Sequence, residues 1–452
     1  MSFPRYPAYK DSGVEWLGEV PEHWGTIEAR REIAFLTSGS RGWAEYYSDE
    51  GPIFLRIGNL TRDSIRLNLE DIQRVTPPAG VEGDRTEVNE GDVLFSITAY
   101  LGSVAVVPGG LERAFVSQHV CLARLANGNL MPDWLAYSVL SASGKAYLEA
   151  ESYGGTKVQL ALDDVKSFPL SLPPINEQRS LITFLDHETA KIDTLIAEQQ
   201  RLIELLQEKR QAVICHAVTK GLNPDAPMKD SGVEWLGEVP EHWEVTALKR
   251  LCRRITDGAH ISPETDNGVY CFVSTRDISE SDIDFEGCLR TSEASYEYLL
   301  RTGCQPEVGD VLFSKDGTIG RTLVVREQHD FVVASSLIII RPDTNLLDAE
   351  FLDVLCKSDA VQNQVESFVK GAGLPRLSIA NLMRVIGIFP PLQEQRRIAN
   401  VVSKISVRFT ALMAEAEAAV TLFQERRSAL ISAAVTGQID VRGLAEAKAG
   451  EQ

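Results

Sequence analysis

Two stretches of the chain carry apolar residues at a seven-residue step. In the first, Leu185, Ile192, Leu206 and Val213 form one row, interrupted by Gln199, and Leu181, Leu195 and Leu202 form another. In the second, the rows are Ile398, Ile405, Leu412, Ala419 and Val402, Phe409, Ala416, Phe423, Leu430. Such a seam, sustained over several heptads, predicts coiled-coil helices. Each stretch runs about 40 residues, or roughly 60 Å at the helical rise. Each follows a proline pair, Pro173-Pro174 or Pro390-Pro391, which ends the preceding segment because proline stops ladder pairing. Asn176 is the expected N-cap of the first helix, and Glu177 complements its positive end. Gly221-Leu222-Asn223-Pro224 then breaks that helix and turns the chain back. The pattern therefore favours two helices paired antiparallel; each could instead pack only on its own domain.

Ahead of each helix the pattern is mixed. Asp92–Ser96, Ser103–Val107, Val311–Ser314 and Phe331–Ile340 are short, β-branched and bounded by Gly, Asp or Pro, which predicts strands. The expected fold class is α+β: two tandem mixed α/β domains separated by two long helices that form an antiparallel coiled coil, with a pseudo-two-fold internal repeat. The expected boundaries are 1–175, 176–221 for the central helix, 222–392, 393–437 for the C-terminal helix, and a flexible tail over 438–452.

The repeat is explicit in the letters. Residues 10–24, KDSGVEWLGEVPEHW, recur unchanged at 229–243. Gly91-Asp92-Val93-Leu94-Phe95-Ser96 recurs as Gly309-Asp310-Val311-Leu312-Phe313-Ser314. Pro173-Pro174-Ile175-Asn176-Glu177-Gln178-Arg179 is matched by Pro390-Pro391-Leu392-Gln393-Glu394-Gln395-Arg396, and Ala217-Val218-Thr219 by Ala434-Val435-Thr436. The offset stays near about 218 residues throughout, so the chain is two copies of one fold. Between these anchors the copies diverge: 40–60 and 258–278 share little beyond pattern. A common frame with two different interiors predicts two readers of two different things.

Composition narrows the class. An apolar content of 44% over 452 residues is that of a globular protein. No run of about 18 apolar residues exists, and the first ten residues lack a signal pattern, so a cytoplasmic location without a membrane is expected. Seven cysteines are scattered with no Cys-x-x-Cys pair, which points to neither a zinc ribbon nor a disulfide framework. A net charge of −19 gives nucleic-acid binding no help, because phosphate neutralisation needs Lys and Arg. Only a local basic face, or a partner that supplies backbone contacts, reconciles the two. There is no phosphate-binding Gly-x-x-x-x-Gly-Lys-Ser/Thr loop, no His-Glu-x-x-His, and no Asn/Asp-Pro-Pro-Phe/Tyr motif of adenine methyltransferases. No metal site is expected, and His23 and His242 beside Trp24 and Trp243 are expected to be structural. The Trp-Leu-Gly tag is expected to act as an aromatic clip holding each domain on its helix.

The order of tag, variable domain, Pro-Pro-x-x-Glu-Gln-Arg and long helix, twice over, resembles the specificity subunit of type I restriction-modification systems. Ser314-Lys315-Asp316-Gly317-Thr318-Ile319-Gly320, Glu425-Arg426-Arg427 before Ala434-Val435-Thr436-Gly437, and Asp257-Gly258-Ala259-His260 add to the likeness. The resemblance covers almost the full chain. It implies that each variable domain reads one half of a bipartite double-stranded DNA site and that the helices set the gap. It implies that two methyltransferase subunits dock on the helical regions, with two restriction/translocase subunits as an optional addition. This chain would then be non-catalytic and hold no cofactor. S-adenosylmethionine would sit on the methyltransferase partner, and ATP and Mg on the restriction partner.

Base edges are read by Arg, Asn, Gln, Ser and Thr, and such residues in loops between strands are the candidates. In the first domain they are Arg41, Arg56, Asn59, Arg62, Gln118, His119, Lys157 and Gln159. In the second they are His260, Ser262, Arg276, Lys315, Ser336, Lys370 and Arg376. Taken singly, each is otherwise a solvated charge or a turn hydrogen bond. Two other readings remain open on the sequence: a protein-binding scaffold without DNA reading, and an enzyme with an unusual motif.

Overall fold

The computed structural model describes residues 3–77, 81–126, 128–154, 158–264, 268–279, 282–369 and 375–443. Two compact units result: Met1–Gln200 with Ala418–Gln452, and Arg201–Glu417. The cut differs from the linear one expected. The last turns of the C-terminal helix belong with the first domain, and the last turns of the central helix with the second.

The first unit is built on a four-stranded antiparallel sheet in the spatial order Ile33–Ser38, Val120–Leu125, Val93–Ser96, Val104–Val106. Beside it lies a sheet of Arg74–Val75, Tyr47–Leu55 and Ala114–Val116, the last two parallel. Gly25–Glu28 pairs with Pro169–Leu172, and the tag forms the hairpin Tyr9–Asp11/Glu19–Pro21. The second unit repeats every one of these sheets. Its four-stranded order is Cys252–Asp257, Leu337–Pro342, Val311–Ser314, Thr322–Val324, and its parallel pair is Tyr270–Val273 with Phe331–Val333. The segment read as one strand over 331–340 is thus two, because a turn closed by Leu337 N–H to Ala334 O separates them.

The repeated motifs are the struts of this frame. In Gly-Asp-Val-Leu-Phe-Ser, the buried Asp92 carboxylate accepts both arms of Arg124 (2.8 and 2.7 Å), and Asp310 accepts both arms of Arg341 (2.8 Å each). In Pro-Pro-x-x-Glu-Gln-Arg, Gln178 is fully buried. Its amide N donates to Asn129 O and Pro173 O, and its Oε1 accepts from Met131 N (2.9 Å). Gln395 does the same with Leu346 O, Pro390 O and Asp348 N. One glutamine thereby ties each long helix to the loop before the domain's own first helix after the sheet.

The long helices span Ile175–Lys220 and Leu392–Val435. The first starts before its expected cap: Glu177 N and Gln178 N both donate to Pro174 O, which puts Asn176 inside the first turn. In the first unit Leu181, Leu185 and Ile192 share a core with Leu430, Ile431, Ala434 and Val435. In the second, Ile214, Ala217 and Val218 share one with Ile398, Ala399 and Val402. The start of one helix therefore meets the end of the other, which is antiparallel pairing. Leu202 and Leu412, expected in the seam, are exposed at 42% and 47%.

The expected clip is made by the second tryptophan of each tag. Trp24 and Trp243 are buried, whereas Trp16 and Trp235 are not. The expected tail is also corrected. Ile439 and Val441 are buried in the first unit's core, and Asp440 N donates to Pro4 O (2.8 Å), which ties this segment to the N-terminal one. Residues 444–452 lie outside the described residues. Among the described residues no helix is long and apolar enough to cross a membrane.

Candidate nucleic-acid interface

In each unit the ends of the central strands gather four loop segments. In the first, Ser40 N donates to Val116 O, Ile97 N to His119 O, Ala99 N to Val158 O and Leu160 N to Ile97 O. Segments around 40, 98, 118 and 159 are therefore neighbours, and Gln159 pairs with both Thr98 and Tyr153. In the second, Ala259 N donates to Val333 O, Ser335 N to Ala259 O, Lys315 N to Ser336 O and Leu377 N to Lys315 O. The Asp316–Arg376 bridge matches the Thr98–Gln159 bridge. Gly39 and Gly258 permit the closure, since a Cβ on either would come within 2.1 Å of the carbonyl of Val116 or Val333.

The two clusters carry different chemistry on this shared backbone. The first is amide-rich and aromatic, with Arg41 as its exposed cation. Gln118 contacts His119 (3.1 Å), Gln159 is exposed, and Tyr100 and Tyr153 are exposed at 63% and 56%. The second is ionic. The Arg376 guanidinium grips Asp316 with two hydrogen bonds (2.7 and 3.0 Å). Asp257 takes both the Lys315 ammonium and the His260 imidazole. Burial pushes the Asp257 carboxyl up, but Lys315 and then His260 outweigh it and hold the group below its ordinary value.

Of the expected residues, Arg41, Gln118, His119 and Gln159 come together in the first cluster. His260, Lys315, Ser336 and Arg376 come together in the second. Arg276 joins them, since Thr275 N donates to Ser336 Oγ (3.2 Å) in the adjoining turn. Ser262 is exposed on the segment after His260. Arg56 pairs with Asp71 (2.8 Å), and Arg62 pairs with Glu149 (2.9 Å) apart from the cluster. Asn59 is buried. Its Oδ1 accepts from Arg56 N, and its amide N donates to Asn68 O and Asp71 O, so its polar groups hold the 56–71 loop instead of facing outward. Lys315 is buried too, and its position makes it a support for Asp257 and His260. Lys157 and Lys370 lie outside the described residues.

Sequence reasoning passed over Tyr100 and Tyr153, and over Asp257 and Asp316 as partners. The signal for Tyr100 was available. Aligning the copies puts Ile97-Thr98-Ala99-Tyr100 on Lys315-Asp316-Gly317-Thr318, and Ala99 takes the left-handed conformation (φ +67°) that Gly317 takes (φ +70°). A strained residue kept in one loop of a variable tip is a local marker of function.

The fold and these tips can be set beside known proteins. The EcoBI specificity subunit of a type I restriction enzyme from Escherichia coli is 23% identical over 347 residues, covering 74% of this chain and 71% of that one. The EcoKI specificity subunit from Escherichia coli K12 is 20% identical over 447 residues, 95% of this chain and 92% of its own. A chain from a structure of type I restriction-modification complex assembly and conformational transition superposes with a TM-score of 0.69 at 18% identity, covering 93% of this chain and 99% of that one. The HsdS subunit from Thermoanaerobacter tengcongensis gives a TM-score of 0.50 at 17% identity, over 93% and 98%. The family described as the type I restriction modification DNA specificity domain matches residues 68–206 and 240–422, one match per copy. With both copies matched, over more than half its length, the chain belongs to the type I restriction-modification DNA specificity family.

Proposed function

We propose that this chain is the non-catalytic subunit that gives a type I restriction-modification complex its DNA sequence specificity. Each unit's loop cluster reads one half of a bipartite double-stranded site. The long helices set the gap, and half-sites one turn apart on one face of B-DNA are about 34 Å from each other. Two methyltransferase subunits dock on the chain and supply the adenine chemistry with S-adenosylmethionine. Restriction subunits with ATP and Mg join in complexes that also cleave. The observation that carries the reading is the pairing of one sheet frame, repeated strand for strand, with two chemically different tips.

The charge balance fits this division of labour. Arg56, Arg62, Lys315 and Arg376 each face a carboxylate of the same unit. Such cations have little left for phosphates, so non-specific affinity is weak and the partners carry most of the backbone contacts. The DNA-contacting set is Arg41 on the phosphate backbone, and Gln118, His119, Gln159, Lys157, His260, Ser262, Arg276, Ser336, Lys370 and Arg376 on the bases, with Asn59 and Lys315 as supports. The test is reconstitution with the methyltransferase subunits, followed by methylome sequencing. A defined two-part adenine methylation site is expected, and exchange of one variable domain for that of a related chain changes only one half. An unchanged methylome after the exchange makes the chain a scaffold, and methyl transfer by the chain alone makes it an enzyme.

A further inference from the structure

Residues 10–24 recur without a single change at 229–243, and burial accounts for only part of that identity. Val20, Pro21 and Trp24 are buried, as are Val239, Pro240 and Trp243. Residues 11–19 are different: Asp11, Glu15, Trp16 and Glu19 are exposed, and so are Asp230, Glu234, Trp235 and Glu238. Exposed positions of this kind usually tolerate exchange within about 0.5 kcal/mol. Fold stability therefore does not require the same letters twice.

The two loops also share one geometry. Ser12 N donates to Gly18 O (2.9 Å), Gly18 N to Val14 O (3.1 Å) and Gly13 N to Asp11 Oδ1 (2.9 Å). Ser231 N donates to Gly237 O (3.0 Å), Gly237 N to Val233 O (3.3 Å) and Gly232 N to Asp230 Oδ1 (2.9 Å). Each loop is pinned by its own hydrogen bonds and leaves one face of a tryptophan exposed, Trp16 at 38% beside Tyr147 and Phe168 and Trp235 at 49% beside Thr219 and Ala360. Neither indole N–H donates to a described residue.

We propose that this loop is a docking epitope used twice, once per unit, by a subunit present in two copies. Resting on the function proposed above, that occupant is the methyltransferase subunit. Two identical exposed shapes suit two copies of one partner, whereas the base-reading tips differ because their targets differ. Each loop carries three exposed carboxylates, Asp11, Glu15 and Glu19 or Asp230, Glu234 and Glu238, against one lysine, Lys10 or Lys229, a balance that repels phosphates, so the occupant is protein and not DNA. The surface it offers has a slot for the indole and a basic rim for the carboxylates. A tryptophan in a desolvated centre with a polar surround is a typical binding anchor.

The test uses the full chain with the methyltransferase subunits. Trp16→Ala, Trp235→Ala, the double variant, and the paired charge reversal Glu15→Lys/Glu234→Lys are compared by native mass spectrometry and titration. Each single Trp variant is expected to weaken one of two sites by on the order of 30-fold. One methyltransferase per chain then predominates where the wild type carries two, and the double variant carries none. The charge reversal shifts occupancy the same way, and it decides the matter if an alanine variant melts early. The docking idea is overturned if both double variants keep two methyltransferases at wild-type affinity while the wild-type complex methylates a bipartite site; the function proposed above then stands. A wild-type chain that holds no methyltransferase overturns both. Loss of self-association with methyltransferase retained overturns the assignment too, by giving the loop to a second copy of this chain.

Discussion

The indole N–H of Trp24 lies 3.1 Å from Oε1 of Glu177, joining the tag to the first turn of the central helix across 153 residues of sequence. Tyr6 Oη donates to the same oxygen and His23 meets the other, so the buried carboxylate gathers three groups. The second copy is looser. Among the described residues the Glu394 side chain meets only His242 Nε2 (2.8 Å) and is partly exposed, and the Trp243 N–H lies 3.1 Å from that same nitrogen, which either accepts from the indole or donates to Glu394. Glu177→Ala leaves buried donors unpaired and should cost about 1–3 kcal/mol. Glu394→Ala breaks an exposed pair and should cost below about 1 kcal/mol. Parallel urea unfolding of the two variants checks the asymmetry, and equal losses contradict it.

Gln178 and Gln395 should be far less replaceable than their neighbours. Either one changed to Leu leaves two carbonyls and one N–H without their partner in a buried junction. The expected loss is about 3 kcal/mol or more for each variant. Arg179→Leu, next in sequence, serves as the control and should stay within about 0.5 kcal/mol.

The frame was legible in the sequence because its signals are local. Heptad rows, proline pairs and repeated hexapeptides are all read within a few residues of one another, and they gave the helices, their antiparallel order and the two-copy design. The tips were legible only as loops. Whether Lys315 is free depends on Asp257, 58 residues away, and whether Arg376 is free depends on Asp316, 60 residues away. Asn59 has a loop residue's composition, yet its burial follows from carbonyls at 68 and 71 that no spacing rule ties to it. Side-chain pairing across the fold decides these cases, and periodicity carries no information about it.

Ala99 holds a conformation that L-residues disfavour by roughly 1–2 kcal/mol. Gly317 holds the same conformation in the other copy, with no atom within 4 Å of where a Cβ would stand. Exchange at either position therefore tests backbone strain without a packing change. Ala99→Gly should stabilise by up to about 1 kcal/mol, offset in part by the greater freedom of glycine in the unfolded chain, and Gly317→Ala should destabilise by about 1 kcal/mol. Thermal melts of the two variants should move in opposite directions.

Asp257 predicts a pH dependence with a definite sign. Its native carboxyl titrates below the ordinary value of 3.8, so ionised Asp257 stabilises the fold. That contribution is complete above about pH 4 to 5 and is lost as the pH falls through the native value. The penalty of Asp257→Asn should be present above about pH 5 and should shrink as the pH falls through the native carboxyl value. A penalty that persists in full well below about pH 3 would contradict the ionised pairing with Lys315 and His260.

Arg376 and Gln159 stand at matching positions of the two tips, each bridged to the loop that carries Asp316 or Thr98. Both side chains are exposed, and both are of types that make paired hydrogen bonds to a base edge: arginine to guanine, glutamine to adenine. Arg376 must release Asp316 to do so, which makes its contact selective, because only a full bidentate partner replaces two hydrogen bonds. Arg376→Ala should relax the second half-site at one base pair by about 1–3 kcal/mol and leave the first half-site untouched. Gln159→Ala should do the reverse. Arg41→Ala is different in kind: an exposed arginine without a carboxylate partner among the described residues is free for phosphate, so its loss should weaken all sites alike and lower the salt slope by about one. Methylome sequencing with each variant, together with salt titration of the reconstituted complex, separates the three. A change at both half-sites from either Arg376→Ala or Gln159→Ala would mean that the tips do not read independently.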